Sequence, residues 1–151
     1  MARYRGRVII SKVDEFGDKI KNLKEWVIKN PNSIHFDSYV EWEVWNYIQE
    51  EDIPHLYQPK IDLFPSISTQ EFEQPRQTKN SNDTKRKIKT VMQRSIGYTP
   101  DFYLPNFDTY VEVKGFAEDV FKLRWKLFKL KGYKGFIVYS LDEFKQLYKQ
   151  L

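Results

Sequence analysis

The chain has 151 residues, with 25 lysines and arginines against 21 acids and a formal net charge of +4, a length that suits one domain able to bury a real core. It has no cysteine, which excludes disulfides and thiolate zinc sites. No apolar run approaches the roughly 20 residues that cross a bilayer. The start, MARYRGRVII, is basic but lacks the apolar stretch of a signal peptide, so a soluble, cytoplasmic protein with no membrane partner is expected. Aromatic residues make up 17% of the chain, which favours a dense core with some aromatic surface.

Taken in chain order, Asp18 to Asn30 reads as an amphipathic helix with Ile20, Leu23 and Val27 on one face, stopped by Pro31. Ser38 to Glu51 forms a second helix, with Val40, Val44, Tyr47 and Ile48 at helical spacing. Glu41 falls inside that apolar arc, and an inward carboxylate is costly unless something pairs with it. A metal site would supply the partner. A capping box, Ser38-x-x-Glu41, would supply a backbone N–H instead. Glu41 is the first choice for an acid in a site and Glu43 the fallback. The histidines His35 and His55 have no metal-ligand spacing and read as structural or surface residues.

His55 to Phe64, Ile67 to Glu73 and Arg86 to Ile96 read as extended segments. Between Arg76 and Arg94 stand seven basic residues and a single acid, Asp83, a net +6 in a chain of +4. Lys85, Arg86, Lys87, Lys89 and Arg94 of this loop or hairpin arm, at about 74–97, therefore have the footprint of phosphate binding. Its polar stretch Gln77 to Thr84 has turn-forming composition.

The most informative stretch follows, YTPDFYLPNFDTYVEVKG. In a strand from Thr109 to Lys114, Tyr110, Glu112 and Lys114 share one face while Val111 and Val113 point the other way. The turn Pro105-Asn106-Phe107-Asp108 folds the apolar run after Asp101 back against that strand. One hairpin thus delivers two carboxylates and an ammonium to one place. Cleaving a phosphodiester requires charge neutralisation at the phosphoryl oxygens and an activated water. Magnesium prefers oxygen ligands and keeps several waters, and a bound metal lowers the pKa of its water. Asp101 and Glu112 supply such oxygens, and Lys114 can orient the nucleophile or stabilise developing charge.

Glu118 to Lys131 reads as a helix stopped by Gly132, with Lys122, Lys126 and Lys129 in a stripe along it. A buried strand, Gly135 to Ser140, and a closing helix, Leu141 to Leu151, complete the order α-α-β-β-β-β-β-α-β-α. The expected class is α/β, a single domain over residues 1–151 built on one mixed sheet flanked by helices.

Pro100-Asp101, Glu112 and Lys114 resemble the motif of the PD-(D/E)xK nuclease superfamily. Their surroundings are similar to phage endonuclease I, a family of small Holliday-junction resolvases. Phe36 to Glu41, Gln58-Pro59 and Lys122 to Phe128 also resemble phage resolvase-like proteins, so the likeness spans roughly residues 34 to 130. The resemblance implies a restriction-endonuclease-like core and catalysis by Glu41, Asp101, Glu112 and Lys114. It implies a metal site of Asp101, Glu112, Glu41 and the Val113 carbonyl, holding Mg2+ with Mn2+ able to substitute. It also implies Lys122 or Lys126 near the cut, no small-molecule cofactor, and a homodimer making two symmetric cuts in branched DNA. The basic insertion before the motif departs from that family. Two other functions fit the sequence: a catalytically silent DNA-binding protein that keeps the nuclease fold, and a sequence-specific or transposon-end nuclease.

Overall fold

The computed structural model describes residues 12–74, 86–115 and 119–151. In chain order these form β1 (Val13–Asp14), α1 (Leu23–Lys29), β2 (His35–Phe36), α2 (Tyr39–Glu50), β3 (Leu56–Tyr57), β4 (Ile61–Phe64), β5 (Ile67–Phe72), β6 (Ile88–Gln93), β7 (Ile96–Tyr98), β8 (Phe102–Leu104), β9 (Thr109–Val113), α3 (Asp119–Leu130), β10 (Gly135–Val138) and α4 (Leu141–Gln150). The class is mixed α/β. The chain divides into two compact units, one from Met1–Pro59 with Pro100–Leu151 and one from Lys60–Thr99.

The first unit is built on a mixed four-stranded sheet in the order β10-β9-β8-β3. β8 runs antiparallel to both β9 and β3, while β10 runs parallel to β9. Such a parallel pair needs a crossover, which the chain makes through α3. Val44 and Ile48 of α2, Phe102 and Leu104 of β8, Val111 and Val113 of β9, Val138 of β10 and Phe144 of α4 form one buried cluster. Each is no more than 5% exposed. The helical spacing read for α2 holds: Val44 and Ile48 are fully buried, and Val40 and Tyr47 pack on the same cluster.

Gly135, which opens β10, lies under α3. A Cβ there would stand 2.7 Å from a ring atom of Phe128 and 2.9 Å from one of Trp125. Gly135→Ala should therefore cost about 1–3 kcal/mol by overpacking, read as a lower urea midpoint at unchanged slope. An unchanged midpoint would mean that α3 and β10 are not packed this closely.

The second unit is a pair of short ladders. β4 pairs with β7, and β5 pairs with β6 in a regular antiparallel register from Ile67↔Gln93 to Phe72↔Ile88. Gln93 Nε2 crosses the ribbon to donate to Thr69 Oγ1 at 3.0 Å and to Glu71 Oε1 at 2.9 Å. The basic arm expected at about 74–97 thus has its partner strands earlier in the chain, and residues 75–85 of it lie outside the described residues.

Three expectations need correction. Not all strands join one sheet: β4 to β7 pair among themselves, and β1 pairs with β2. The strand expected over His55 to Phe64 is cut in two, because Gln58 adopts a left-handed φ of 48° and Pro59 offers no N–H to a ladder. The first helix begins at Leu23 rather than Asp18. Asp14 Oδ1 accepts the N–H groups of Phe16 and Asp18, both at 2.9 Å, and Lys19 bridges to Val13. These bonds hold the segment in a turn, and Asn22 caps the helix instead.

Candidate active site

The hairpin of β8 and β9 is fixed by its turn. Pro105–Phe107 makes a single 3-10 turn and Asp108 follows with φ 45°, a conformation that aspartate tolerates better than most residues. Tyr103 Oη donates to Asp108 Oδ1 at 2.8 Å and Thr109 Oγ1 donates to the Phe107 carbonyl at 2.8 Å. The resulting register, Phe102↔Val111 to Leu104↔Thr109, places Asp101 beside the far end of β9. Its Oδ2 accepts the Val113 N–H at 2.7 Å. On its other side, the Asp101 carbonyl accepts the Gln58 N–H at 2.8 Å.

Glu112, in the centre of the sheet, is 3% exposed. Lys114 Nζ lies 2.6 Å from Glu112 Oε1, the same-face pairing that strand alternation predicts. The ammonium also stands 4.3 Å from the ring centroid of Phe121 on α3, within cation–π range.

Glu41 comes from α2 and is 2% exposed. Its side chain takes part in capping the helix, though at the residue before the cap rather than at Ser38. Ser38 Oγ accepts the Glu41 N–H at 3.1 Å as an N-cap, and Glu41 Oε2 accepts the N–H of Asp37, one residue before the cap, at 3.1 Å. The other oxygen, Oε1, accepts the phenol O–H of Tyr57 at 2.7 Å.

These groups feel one another. Burial pushes the Asp101 carboxyl well above its usual range, and the negative charges of Glu112 and Glu41 push it further. Burial likewise raises Glu41; the Tyr57 hydrogen bond opposes the rise, while Asp37 and Glu112 add to it. Burial works against the charge of Lys114, but its hydrogen bond to Glu112 and the surrounding carboxylates outweigh this and raise it. Tyr57 is raised by burial first and then by Glu41, so its phenol keeps its proton. Glu41 and Asp101 thus lie close enough to Glu112 for its negative charge to raise both, with the Lys114 ammonium opposing the rise at Asp101.

A divalent cation would relieve that repulsion, and the all-oxygen donor set suits magnesium or manganese. As the side chains stand, no group of three or more acids or histidines among the described residues is arranged to hold a metal ion.

Of the expected site residues, Lys114 pairs with Glu112, Asp101 bonds the neighbouring Val113 N–H, and Glu41 lies close enough for its charge to act on Asp101. Val113, expected to ligate through its carbonyl, gives its N–H to Asp101. Arg86, Lys87, Lys89 and Arg94 are exposed and belong to the second unit. Arg86 stands over the Phe72 ring at 5.7 Å, and Lys89 lies opposite Glu71. Lys85 lies outside the described residues. Lys122 and Lys126 are exposed on α3, whereas Lys129 Nζ donates to the Gly135 carbonyl at 3.2 Å rather than standing free in solvent. His55 is structural, bonded through Nδ1 to the Ile53 carbonyl at 2.9 Å.

Sequence reasoning missed Tyr57 and Phe121. Tyr57 stands directly before Gln58-Pro59, but nothing in that spacing tells which acid a phenol will meet. Phe121 belongs to an apolar helix side whose members look alike in sequence. The chain matches no protein-family model, no curated protein and no solved structure. Among the described residues no helix is long and apolar enough to cross a membrane.

Proposed function

We propose that this protein is a metal-dependent endodeoxyribonuclease with a restriction-endonuclease-like core of the PD-(D/E)xK type. It hydrolyses phosphodiester bonds, with branched DNA such as a Holliday junction as its preferred substrate. The reading rests on one observation: Asp101, Glu112 and Lys114 meet on the β8–β9 hairpin with the inward carboxylate of Glu41 beside them.

In this mechanism Asp101 and Glu112 are the residues that would hold a magnesium ion, or manganese in its place. The bound ion would supply charge neutralisation and a water of lowered pKa. Lys114, kept protonated by the carboxylates, donates to the attacking water or to a phosphoryl oxygen as negative charge builds there. Glu112 anchors that ammonium, and Phe121 limits its swing. Glu41 accepts a hydrogen from the water and aligns it. Water attack forms a new phosphorus–oxygen bond and breaks the bond from phosphorus to one ester oxygen; the attacking water gives its proton to solvent, and the leaving oxygen takes one from solvent. Symmetric cutting of a junction calls for two such centres, hence a homodimer acting in the cytoplasm.

A catalytically silent DNA-binding protein is the second reading, favoured by the two hydrogen bonds that already occupy Glu41. The deciding experiment offers labelled four-way junction, linear duplex and single strand to the protein, with magnesium or chelator. Junction-selective nicking that needs the metal is the expected result. Equal cutting of all three would discard the junction preference, and binding without cutting, in magnesium or manganese, would establish the silent module.

The basic ribbon carries its own prediction. Replacing Arg86, Lys87 and Lys89 together by alanine should weaken DNA binding and flatten the plot of log affinity against log salt. The slope should fall by about 0.9 for each duplex phosphate that the protein no longer neutralises. An unchanged slope in a binding titration would remove these residues from the DNA surface.

A further inference from the structure

β3 is only two residues long, yet it joins the helix acid to the strand acid. Its register sets Tyr57 opposite Phe102, the residue after Asp101. The Tyr57 ring packs against Phe36 at 5.6 Å and Phe102 at 5.5 Å between centroids. Both of those phenylalanines are fully buried. Immediately after it, Gln58 holds its left-handed φ of 48° and gives its N–H to the Asp101 carbonyl at 2.8 Å. Backbone in that region is costly for a side-chain-bearing residue and persists where the surroundings over-determine it, often at functional sites. Tyr57 is thus fixed in three ways: by the ladder, by ring packing, and by the strained residue that follows.

From that fixed position its phenol meets Glu41 Oε1 at 2.7 Å, while the Asp37 N–H meets Oε2 at 3.1 Å. A carboxylate held at both oxygens cannot rotate. Each oxygen retains one further acceptor direction, so Glu41 can take a single water or ion in a set orientation. The hydroxyl is dispensable for filling space, because phenylalanine has the same ring. Its specific contribution is the hydrogen bond to the acid.

We propose that Tyr57 is a positioning residue of this centre, its hydroxyl fixing the Glu41 carboxylate in the orientation that the site uses. The inference rests on the metal-dependent nuclease reading and goes beyond it, since neither the motif nor the hairpin calls for a phenol. Groups that orient a metal site from outside its ligand set typically change metal affinity or activity about 10- to 100-fold when removed.

The test is Tyr57→Phe, with Glu41→Gln and the double variant, each titrated with Mn2+ alone by calorimetry and assayed for junction cleavage. Tyr57→Phe should weaken Mn2+ binding or lower kcat about 10- to 100-fold, with little change in KM. In the Glu41→Gln background the same substitution should add less than about twofold, because acts through a shared partner are not additive. Wild-type Mn2+ affinity and kcat in Tyr57→Phe, or a full additional loss in the Glu41→Gln background, would overturn the proposal. Wild-type protein that neither takes up Mn2+ nor cuts would overturn the nuclease reading and this inference with it. That failure is distinguishable, since it shows in the wild type before any variant is made.

Discussion

Asp101→Asn should abolish magnesium-dependent cleavage and, in chelator at neutral pH, make the protein more stable. The loss of rate should be about 10³-fold, equivalent to roughly 4 kcal/mol of transition-state stabilisation. The gain in stability follows from the raised carboxyls. Asp101 and Glu41 titrate higher in the folded protein than in the unfolded chain, chiefly through burial and then through neighbouring negative charge. Between the unfolded value near pH 4 and the raised native values, the folded state therefore binds more protons. The stability they contribute is fully present below about pH 4 and is lost as pH rises through the native values. Asparagine keeps the shape and can still accept the Val113 N–H while removing one charge. Urea unfolding in chelator from pH 4 to pH 8 reads this directly. The wild type should lose stability across that range and Asp101→Asn should lose less. Equal slopes would mean that the carboxylates are not coupled, and magnesium should raise the wild-type midpoint but not that of the variant.

Lys114→Met should have the largest effect on folding. Breaking a buried ion pair from one side costs roughly 3–5 kcal/mol. Lys114 is 26% exposed at its side chain against 4% for Glu112, so solvent screening reduces the expected cost to about 2–3 kcal/mol. Adding Glu112→Gln should recover a large part of it, because the amide carries no charge to leave stranded. Chemical denaturation of the three proteins measures the coupling. Cleavage should fall about 10²- to 10³-fold in Lys114→Met, as for the loss of one donor to developing charge. Unchanged stability would show that the ammonium is not the counterion of Glu112.

Much of the site was legible because strand alternation is rigid. A period of two forces Glu112 and Lys114 onto one face whatever surrounds them, and a short turn with proline and aspartate brings Asp101 to the neighbouring strand. Glu41 was legible from helical periodicity, since it interrupts an apolar arc, although only the folded chain reveals that its two oxygens serve a cap and a phenol at once. Tyr57 was not legible, because its role depends on which strand pairs with β8. The break at Gln58 was also hidden: a glutamine gives no sign of a left-handed φ, and only the following proline marks an interruption. The grouping of strands was the least readable part. Ile67 to Phe72 and Ile88 to Gln93 have ordinary strand composition, and nothing local says that they pair with each other rather than extend the central sheet. Asp14 shows the same limit at the first helix, where a side chain capturing backbone N–H groups overrides the helical pattern of Asp18 to Lys21.

The proposed function requires Asp101 and Glu112 to hold a divalent ion, with Glu41 aligning its water and Lys114 assisting attack. Calorimetric titration of Mn2+ into the wild type and into Asp101→Asn, without nucleic acid, examines that requirement before any DNA is added. Saturable binding to the wild type is expected, accompanied by proton release as the raised carboxyls ionise, and it should be lost in the variant. Saturable binding of equal strength to both proteins, or no binding to either, would contradict the claim.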